Sequence, residues 1–381
     1  MIDSQAALAD LVDQALQQEA VALDTEFVWE RTYYPALGLV QLGWSEDDVF
    51  LIDPVAIEDL SDLGRLLADS DTVKILHDAT QDLQILARAT GAQPANIFDS
   101  QRAAGFVGLT GTASLQDLVQ WAVDVRLDKG ETRTDWLRRP LSDKQLDYAE
   151  DDVRYLPTVR TLLIQEAEQR SRMPWVDSEM DRYEDATLYE EADPQEAVGR
   201  IKARGLGRMS GEQRAVLRAV AAWRERAARR LDRTRRMVLP DDALVDLALK
   251  RPASHEDLGR MKFSDRQLDH YGDDLLVAVA AGEAAGPERV ERRGRPTPED
   301  ERRAARLLVA QALVAGVCAT SEIDPAIVAT KSDLRDLVDG ARDAPVLSGW
   351  RRQFLGEDLL RLLDGELAVR LDGPDGWPVP A

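Results

Sequence analysis

The segment Val21-Ala-Leu-Asp-Thr-Glu-Phe27 places two acidic residues, Asp24 and Glu26, inside an otherwise apolar run near the start of the chain. Successive side chains of a β-strand point to opposite faces, so these two carboxylates lie side by side on one face of the predicted strand. Burying two like charges together costs several kcal/mol unless something compensates them. The pair therefore needs a partner, and the segment alone leaves open whether this is water, a cationic side chain or a metal ion.

The composition indicates a protein of more than one domain without disulfide bonds. The chain has 381 residues, of which 44% are hydrophobic, enough for two or three domains with buried cores. Its single cysteine, Cys318, excludes an intramolecular disulfide framework and a cysteine-rich zinc site, and its three histidines lie far apart in sequence. No apolar run approaches bilayer-spanning length and no signal sequence is recognisable, so we expect a cytoplasmic protein that does not associate with membranes.

The net charge of -22 is unfavourable for nucleic-acid binding, because neutralising phosphates requires lysine and arginine. The cationic residues are unevenly distributed, however. Arginine is dense in the segment 223–236, and a second basic cluster spans 292–295. These clusters indicate either a contact surface for nucleic acid or, as the alternative, a solvated helix face and a linker.

The first part of the chain has the pattern of a sheet followed by helices. The turn-forming residues Ser45–Asp47 separate two strand patterns and predict an antiparallel hairpin beside the acidic strand. Ser114 precedes a helical pattern at Leu115–Trp121 and is its predicted N-cap. The other predicted elements are helix 5–19, strands 37–42, 49–53 and 73–77, and helix 78–90. Together these elements predict a mixed sheet covered by helices.

The second half of the chain is helical in pattern and contains a weak internal repeat. A polar, acidic segment from about 166 to 204 precedes it and predicts an interdomain connection. The sequence Gly272-Asp-Asp-Leu-Leu276 recurs as Gly356-Glu-Asp-Leu-Leu360, and further landmarks precede both copies in the same order. The repeat predicts two copies of one small helical domain, with chance similarity between amphipathic helices as the alternative.

Two later acids lie in positions that favour a shared site with the acidic strand. Asp82 lies in the first turns of a helix that follows a predicted buried strand, from where side chains project into a cleft at the sheet edge. Asp152 follows Tyr148 by four residues, so both lie on one face of a helix. Asp99, by contrast, is predicted to be a helix cap or turn residue. Taken singly, each of these acids favours a structural role.

The four acids together predict a site for hard cations. They are Asp24, Glu26, Asp82 and Asp152. Oxygen ligands without a histidine cluster suit Mg²⁺ or Mn²⁺. Two such ions about 3.5–4 Å apart can activate a water molecule and stabilise the leaving oxygen in phosphodiester cleavage. A neighbouring tyrosine hydroxyl can orient that water.

The motifs that carry these acids resemble those of the DEDD superfamily of 3′→5′ exonucleases. In chain order they are Leu23-Asp-Thr-Glu-Phe27, His77-Asp-Ala-Thr-Gln-Asp-Leu83 and Tyr148-Ala-Glu-Asp-Asp152. The tyrosine four residues before the last acid is typical of the tyrosine branch. The histidine branch has a histidine five residues before that acid, where this chain has Asp147.

The segments around the third motif narrow the resemblance. Leu127-Asp-Lys129, followed by Thr134-Asp-Trp-Leu-Arg-Arg-Pro-Leu-Ser142, is similar to the ribonuclease D family, and the helical repeat resembles a pair of HRDC domains. The resemblance implies an α/β fold, with an RNase H-like mixed-sheet exonuclease domain followed by two all-α HRDC helical domains. The expected boundaries are 1–168 for the exonuclease domain, 169–206 for an acidic connecting segment, 207–286 for the first HRDC domain and 296–375 for a divergent second one.

The resemblance also implies a chemistry. Asp24 would bridge two divalent cations, Mg²⁺ or Mn²⁺. Glu26 and Asp152 would complete the ion that carries the attacking water, Asp82 would act on the second ion, and Tyr148 would orient the water. The expected enzyme is a monomer that releases nucleoside 5′-monophosphates from the 3′ end of RNA, with precursor tRNA as the expected substrate.

Five further residues are expected to contact the substrate: Phe27, His77, Lys129, Arg138 and Arg139. The aromatic residue would stack on the terminal base, and the basic ones would bind phosphates. The alternatives are core packing for Phe27 and His77, and solvation or pairing with nearby acids for the basic residues. Upstream RNA would be held by arginines of the first HRDC domain, Arg226, Arg229, Arg230 and Arg233.

Two other functions are compatible with the same residues. A 3′→5′ DNA exonuclease would use the same site, because the contact to the 2′-hydroxyl that separates RNA from DNA is not visible in sequence. A catalytically inactive adaptor that binds nucleic acid would keep the fold but not the chemistry. The presence of all five predicted catalytic positions argues against the adaptor.

Overall fold

The computed structural model of the chain describes residues 1–128, 130, 134–289, 297–374 and 376–381. These residues form two compact units. The sheet unit comprises Met1–Phe27, Leu37–Tyr189 and Gly294–Ala381, and the helical unit comprises Val28–Ala36 and Glu190–Arg293.

A five-stranded sheet in the order β3-β2-β1-β4-β5 lies at the centre of the sheet unit. Its strands are β1 Ala20–Val28, β2 Ala36–Gly43, β3 Val49–Ile52, β4 Val73–Leu76 and β5 Ile97–Asp99. β2 and β3 pair antiparallel, whereas β4 pairs parallel with both β1 and β5. The predicted mixed sheet and hairpin are confirmed. β5 was not predicted, because three residues are too few to show a periodic pattern.

Eight helices lie in the described residues of the first half, and three of them begin at a side chain that satisfies free backbone N–H groups. They are α1 Gln5–Ala15, α2 Ser61–Ala68, α3 Thr80–Thr90, α4 Ser100–Ala104, α5 Leu115–Val123, α6 Asp143–Arg154, α7 Leu156–Gln169 and α8 Met173–Met180. Ser114 caps α5 by accepting a hydrogen bond from the Asp117 N–H, which confirms its predicted role. Asp99 caps α4 by accepting hydrogen bonds from the N–H groups of Gln101 and Arg102, as predicted for a cap residue.

The acidic segment that follows α7 is not the separate connection that its composition suggested. Its first part, up to Tyr189, belongs to the sheet unit, and the remainder belongs to the helical unit. Val176, Met180 and Tyr183 are buried, and the Tyr183 hydroxyl donates a hydrogen bond to the Asp99 carboxylate. Composition misled here because apolar residues spaced along α8 and a following 3₁₀ turn supply a buried face between the acids.

The described residues of the helical unit form five helices, and the unit also includes the chain segment that joins β1 to β2. The helices are α9 Gly211–Leu231, α10 Arg235–Val238, α11 Asp241–Lys250, α12 His255–Gly259 and α13 Asp265–Ala284, and 3₁₀ turns at Pro194–Arg200 and Leu206–Arg208 precede them. Its core is built on α9, which buries Val216, Val220 and Ala227. The mostly helical character predicted for this half is confirmed.

The last part of the chain returns to the sheet unit. It contains α14 Pro298–Thr320, α15 Pro325–Val328, α16 Lys331–Val338, α17 Gly349–Arg351, a π-helical turn Arg352–Gly356, α18 Glu357–Asp364 and a small hairpin of β6 Val369–Leu371 and β7 Pro378–Pro380. In both α9–α13 and α14–α18 a helix of more than 20 residues is followed by a one-turn helix and then a shorter one. This shared order agrees with the internal repeat.

The C-terminal helices pack against the first part of the sheet unit through glycine contacts and a buried carboxylate. A Cβ atom built on Gly111 would lie 2.9 Å from the Ile327 Cγ2 atom, so only glycine permits this approach of α15. Glu179 in α8 is 2% exposed. Its carboxylate pairs with three guanidinium groups, those of Arg102 at 2.6 Å, Arg182 at 3.0 Å and Arg351 at 2.6 Å.

One described helix, α14, is long and apolar enough to cross a membrane when judged by length and composition alone. The sequence pattern had suggested that no run of this kind exists. A single helix of this kind is weak evidence for a membrane span, and 28% of its most apolar stretch is buried, including Ala310, Leu313 and Val314.

Candidate active site

Three carboxylates meet at one end of the central sheet. Asp24 and Glu26 come from β1, and Asp152 comes from α6. One carboxylate oxygen of each lies within 4.8 Å of those of the other two. The two acids share one face of β1. Thr25, which lies between them, and Leu23, which precedes them, are buried. The structure therefore assembles residues that are more than a hundred positions apart in the chain.

Helix α6 presents Asp152 and Tyr148 to this cluster from successive turns. The helix begins at a capping box, in which the Ser142 hydroxyl accepts from the Gln145 N–H and the Gln145 side chain accepts from the Ser142 N–H. A fixed start sets the rotation of the helix, so residues one turn apart face the same direction. The Tyr148 hydroxyl hydrogen bonds to the Asp152 carboxylate and lowers its pKa, against the larger effect of burial.

Asp82, the fourth predicted acid, lies in the first turn of α3 and is 9% exposed. The buried Thr25 hydroxyl donates a hydrogen bond to the Asp82 carboxylate. Thr25 thus orients an acid that comes from another element, and sequence reasoning did not identify it. The two residues are 57 positions apart, and nothing in the local pattern of β1 indicates which side chain its threonine contacts.

The pKa values of the four acids are raised, because burial and the neighbouring acids disfavour their charged forms. Burial, followed by repulsion from Asp82, Asp152 and Glu26, raises the pKa of Asp24. Burial and then Asp152 and Asp82 raise the pKa of Glu26 to about 8. Burial raises the pKa of Asp152 to about 7, with a further contribution from Asp151, and that of Asp82 to about 6.

The donor set fits hard divalent cations. In the described part of the chain, no cationic side chain is among the groups that shift the pKa values of these acids. The compensation that buried carboxylates need is therefore not supplied by lysine or arginine there. Clustered carboxylate oxygens are the ligands that Mg²⁺ and Mn²⁺ take, and the absence of thiolate or imidazole from the cluster argues against zinc.

Tyr148 keeps its proton in this environment. Burial, followed by repulsion from Asp152, Glu26 and Asp24, raises its pKa far above the ordinary value for tyrosine. A phenol that stays neutral offers both a donor and an acceptor, but it cannot serve as a base near neutral pH. The indole ring of Trp136, which is 2% exposed, packs 6.2 Å from the Tyr148 ring and limits its movement.

A cleft of about 410 Å³ opens beside Tyr148 and Asp152. Its other lining residues include Leu115 and Leu127, which are apolar, and three further acids, Asp128, Asp147 and Asp151. The volume and the apolar patches suit a nucleotide. The acidic wall repels phosphate, so an anionic ligand would need cations to enter this cleft.

Two of the predicted substrate residues are engaged within the protein. The Arg139 guanidinium pairs with both carboxylate oxygens of Asp53 and donates to the carbonyl oxygens of Gly38 and Trp136. The His77 ring hydrogen bonds to the Ser100 hydroxyl at 3.0 Å and to the backbone of Ala113, and burial lowers its pKa. These contacts favour the alternatives of core packing for His77 and of pairing with an acid for Arg139, and substrate contact by either residue stays a prediction.

Substrate contact by the other three residues, Phe27, Arg138 and Lys129, stays a prediction. Phe27 is half-buried at the end of β1, next to Glu26, and Arg138 is exposed on the segment before α6. Both positions are compatible with substrate contact. Lys129 lies outside the described residues.

Comparisons with known proteins identify the family of the chain. Residues 1–168 match the family model described as 3′-5′ exonuclease, and residues 213–279 match the HRDC domain. The ribonuclease D of Desulfotalea psychrophila is 38% identical over 357 residues, which cover 91% of this chain and 94% of the relative. That of Gluconacetobacter diazotrophicus is 36% identical and covers 98% and 95%.

A solved structure matches over nearly the whole chain. The crystal structure of Escherichia coli RNase D, described as an exoribonuclease involved in structured RNA processing, matches with a TM-score of 0.81 at 30% identity. The match covers 96% of this chain and 98% of that one. With relatives above 30% identity along nearly its full length and an acidic cluster where the exonuclease motifs lie, the chain belongs to the ribonuclease D family of 3′→5′ exoribonucleases.

Proposed function

We propose that this protein removes nucleoside 5′-monophosphates one at a time from the 3′ end of RNA, in a reaction that depends on Mg²⁺ or Mn²⁺. The observation that carries the proposal is the cluster of three half-buried carboxylates whose oxygens lie within 4.8 Å of one another. We further propose precursor tRNA as a substrate, because the Escherichia coli relative acts in structured RNA processing.

The residues that would hold the ions are Asp24, Glu26 and Asp152, with Asp82 beside them. When bound, the ions would lower the pKa of a water molecule and stabilise the charge on the leaving 3′ oxygen. The carboxylates supply the negative charge that retains two dications, and Thr25 keeps Asp82 turned towards Asp24.

Tyr148 acts on the attacking water through hydrogen bonding. Its hydroxyl donates its one proton in the hydrogen bond to Asp152 and remains protonated, so it can orient a water molecule by accepting a hydrogen bond from it. It does not remove the proton of that water, because its raised pKa makes the phenolate inaccessible near neutral pH.

Upstream RNA contact is proposed for part of the arginine-rich helix α9. Arg226 and Arg230 are exposed and line a groove with Trp223 and Val277, whose side chain is 70% exposed. Charge beside an aromatic edge suits single-stranded nucleic acid. Arg229, in contrast, is 13% exposed and pairs with Glu225 and Glu191, so we assign it to the structure of the unit.

We propose the domain boundaries as 1–168 for the exonuclease domain, 207–286 for the first HRDC domain and 296–375 for the second. The family models for residues 1–168 and 213–279 support the first two, and the recurring helix order supports the third. We also propose that the enzyme works as a monomer in the cytoplasm.

The proposed activity predicts metal-dependent release of mononucleotides from RNA. With Mg²⁺ or Mn²⁺ added to chelator-treated protein, a 3′-labelled single-stranded RNA should lose its label as a nucleoside 5′-monophosphate, and EDTA should abolish the reaction. The reaction should need the metal ions because the carboxylate cluster repels an anionic phosphate unless cations neutralise it. Separation of the products by chromatography identifies the released nucleotide.

A DNA oligonucleotide of the same sequence serves as the comparison. We expect faster degradation of RNA. Faster degradation of DNA would replace the proposal with a DNA exonuclease, and no release from either substrate with either metal would point to the inactive adaptor.

A second prediction concerns the hydrogen bond that orients Asp82. Thr25→Val keeps the shape of the side chain but removes the hydroxyl donor, so the Asp82 carboxylate loses its buried partner. Loss of a group that hydrogen bonds to a metal ligand typically lowers metal affinity or activity by about 10–100-fold. We expect a loss of this size in kcat/KM, with partial recovery as the Mg²⁺ concentration is raised.

Thr161→Val is the matched control, since the exposed Thr161 hydroxyl donates only to the Pro157 carbonyl oxygen of its own helix. Measuring the reaction rate of both variants as a function of Mg²⁺ concentration distinguishes weaker metal binding from a general loss of activity. Equal activity of Thr25→Val and Thr161→Val at limiting Mg²⁺ would remove Thr25 from the site.

A further inference from the structure

The segment from Thr134 to Ser142 leads directly into α6, the helix that carries Tyr148, and side chains hold it at both ends. At its start, the Gln145 side chain of α6 donates to the Thr134 hydroxyl at 3.0 Å. At its end, Ser142 caps the same helix. Residues 134–142 contain neither helix nor strand, so the path of the segment depends on contacts of this kind.

The guanidinium group of Arg139 joins this segment to two strands of the central sheet. Nε donates to one carboxylate oxygen of Asp53, which follows β3, at 2.6 Å, and Nη2 donates to the other. Nη2 also donates to the Gly38 carbonyl oxygen in β2 at 2.7 Å. Nη1 donates to the Trp136 carbonyl oxygen at 2.8 Å. A planar guanidinium can make all of these bonds at once, which the ammonium group of lysine cannot.

Asp53, the acid of this pair, is 5% exposed and is committed to the protein interior. Its carboxylate also accepts from the Val55 N–H at 2.9 Å. The hydrogen bonds from Arg139 hold the pKa of Asp53 below its ordinary value, against the effect of burial. A buried acid is not a ligand for an RNA phosphate, so any contribution of Asp53 to the reaction is made through Arg139.

Trp136, whose backbone Arg139 holds, contacts both β2 and Tyr148. A Cβ atom built on Gly38 would lie 2.8 Å from the Cβ atom and from the carbonyl oxygen of Trp136, so only glycine permits this approach. The indole ring lies 6.2 Å from the Tyr148 ring at an angle of 38°. Its N–H has no hydrogen-bond partner among the described residues. The position of the ring therefore depends on packing and on the backbone that Arg139 holds.

Tyr148 needs a fixed ring because its hydroxyl has one proton to donate. That proton is used in the hydrogen bond to Asp152, so only the acceptor side of the oxygen is free for the attacking water. The direction of this acceptor is set by the orientation of the ring. A shift of the ring would either break the bond to Asp152 or turn the acceptor away from the water.

From these contacts we infer that Arg139, together with Asp53, is a positioning residue of the exonuclease reaction. The pair holds Trp136 against Tyr148 and thereby fixes the hydroxyl that orients the attacking water. All four residues lie within the sheet unit. Arg139 then acts on the chemical step and not on the binding of phosphate. The inference rests on the exoribonuclease activity proposed above.

Arg139→Lys and Asp53→Asn, each in the full chain, test this inference by steady-state kinetics on a single-stranded RNA. Lysine keeps the positive charge but cannot bond the carboxylate and both carbonyl oxygens together. Asparagine keeps the shape of aspartate and removes its charge. We expect both variants to lose about 10–100-fold in kcat, the size of effect that a small misplacement of a catalytic group produces, with KM unchanged.

A double-mutant cycle with Tyr148→Phe shows whether this loss passes through the tyrosine hydroxyl. Tyr148→Phe keeps the ring and removes the group that Arg139 is inferred to position. In that background Arg139→Lys should lower kcat by less than about twofold further, because two residues that act through one another do not give additive losses. The same loss in both backgrounds would overturn the inference.

The kinetic constants also separate positioning from contact with the substrate. Loss of a phosphate contact weakens binding, so a rise in KM with an unchanged kcat would assign Arg139 to the RNA instead. Since Asp53 is buried, a loss of kcat in Asp53→Asn has no such alternative source. An unchanged kcat in a folded Asp53→Asn variant would refute the role of the pair.

Arg172→Lys is the matched control within the sheet unit. The Arg172 guanidinium also donates to backbone carbonyl oxygens, those of Phe106 at 2.6 Å and Glu322 at 3.0 Å. The substitution should lower Tm and leave kcat and KM at the values of the parent. A loss of kcat equal to that of Arg139→Lys would mean that general loosening of the unit is the cause, against the inference.

Two further comparisons keep the test decisive. If circular dichroism shows that Arg139→Lys does not fold, Asp53→Asn decides. If Tyr148→Phe has no measurable rate, the kcat of Arg139→Lys and Asp53→Asn relative to that of Arg172→Lys decides. Failure of the proposed function has a different appearance: the parent protein itself would release no nucleotide from RNA, an outcome that the comparison between variants cannot produce.

Discussion

Asp24→Asn should reduce RNA hydrolysis by about 1000-fold or more, because removal of a single stabilising group from an active site already costs about 10²–10³. The substitution keeps the size of the side chain and removes one of the three charges whose oxygens lie within 4.8 Å. The site would then retain divalent cations weakly. The measurement is the initial rate of mononucleotide release at saturating Mg²⁺.

The same substitution should leave the metal-free protein at least as stable as the parent. Burial and three neighbouring acids raise the pKa of Asp24, so ionised Asp24 is destabilised in the fold. Replacing it with a neutral amide removes this repulsion. Thermal unfolding in EDTA should show no loss in Tm, whereas added Mg²⁺ should raise the Tm of the parent more than that of the variant.

Asp151→Asn is the control for Asp24→Asn. Asp151 precedes Asp152 in α6, but its carboxylate pairs with Arg154 at 3.3 Å and is not part of the three-acid cluster. We expect a change of less than about tenfold in rate, since a rim charge contributes little. Equal losses in the two variants would mean that the third motif has been assigned to the wrong acid, and a fully active Asp24→Asn would refute the site.

Glu179→Ala should lower the free energy of unfolding of the sheet unit by about 3–5 kcal/mol, because removing one partner of a buried ion pair leaves the others unpaired. The side chain is 2% exposed and neutralises Arg102, Arg182 and Arg351. Since Arg351 lies in the C-terminal helices, the loss should loosen their attachment to α8. Urea unfolding followed by tryptophan fluorescence reports on this, because Trp175 and Trp350 stack 5.5 Å apart beside the site.

The control is Glu357→Ala, which removes the exposed pair of Glu357 with Arg352 in the same unit. That change should cost less than about 1 kcal/mol. Burial alone would raise the pKa of Glu179, but Arg102 and Arg351 outweigh it and lower the pKa. The stabilisation by the Glu179 ion pairs is therefore fully present above the ordinary glutamate pKa of 4.5. It is lost as the pH falls through the lower pKa that Glu179 has in the folded protein. A constant difference between parent and variant down to that lower pH would contradict this origin.

The arginines of the two helical regions, α9–α13 and α14–α18, make different kinds of contact. In the described residues of the second region, Arg351 and the backbone around α15 serve contacts inside the sheet unit. In the first, Arg229 and Arg235 hold Tyr33, while Arg226 and Arg230 remain exposed. A net charge of -22 is thus compatible with RNA as substrate, since divalent cations and a few exposed arginines act locally.

Local pattern was sufficient to predict most elements of the exonuclease fold and the acids of the three-carboxylate cluster. Alternation along β1 places Asp24 and Glu26 on one face, and the four-residue spacing in α6 places Tyr148 beside Asp152. Turn and cap residues predicted the hairpin and the start of α5. These features depend on neighbours in sequence, so periodicity and capping chemistry reveal them.

The pairing of charged side chains could not be predicted in this way. Arg139 had the features of a phosphate ligand, yet it pairs with Asp53, 86 positions away. Thr25 contacts Asp82 across 57 positions, and Glu179, in a segment with the composition of a linker, pairs with Arg351 across 172. Such partners are neighbours only after the chain has folded.

The sequence by itself thus determined the candidate residues for metal-dependent phosphodiester chemistry, since residue type and short-range spacing are properties of the chain. Only the tertiary structure decided which of the remaining polar residues are committed to one another. It paired Arg139 and Glu179 within the sheet unit and seated Tyr33 among the arginines of the helical one. The physical reason is that a charge is satisfied by whatever lies within a few ångströms of it, and that distance is a property of the fold.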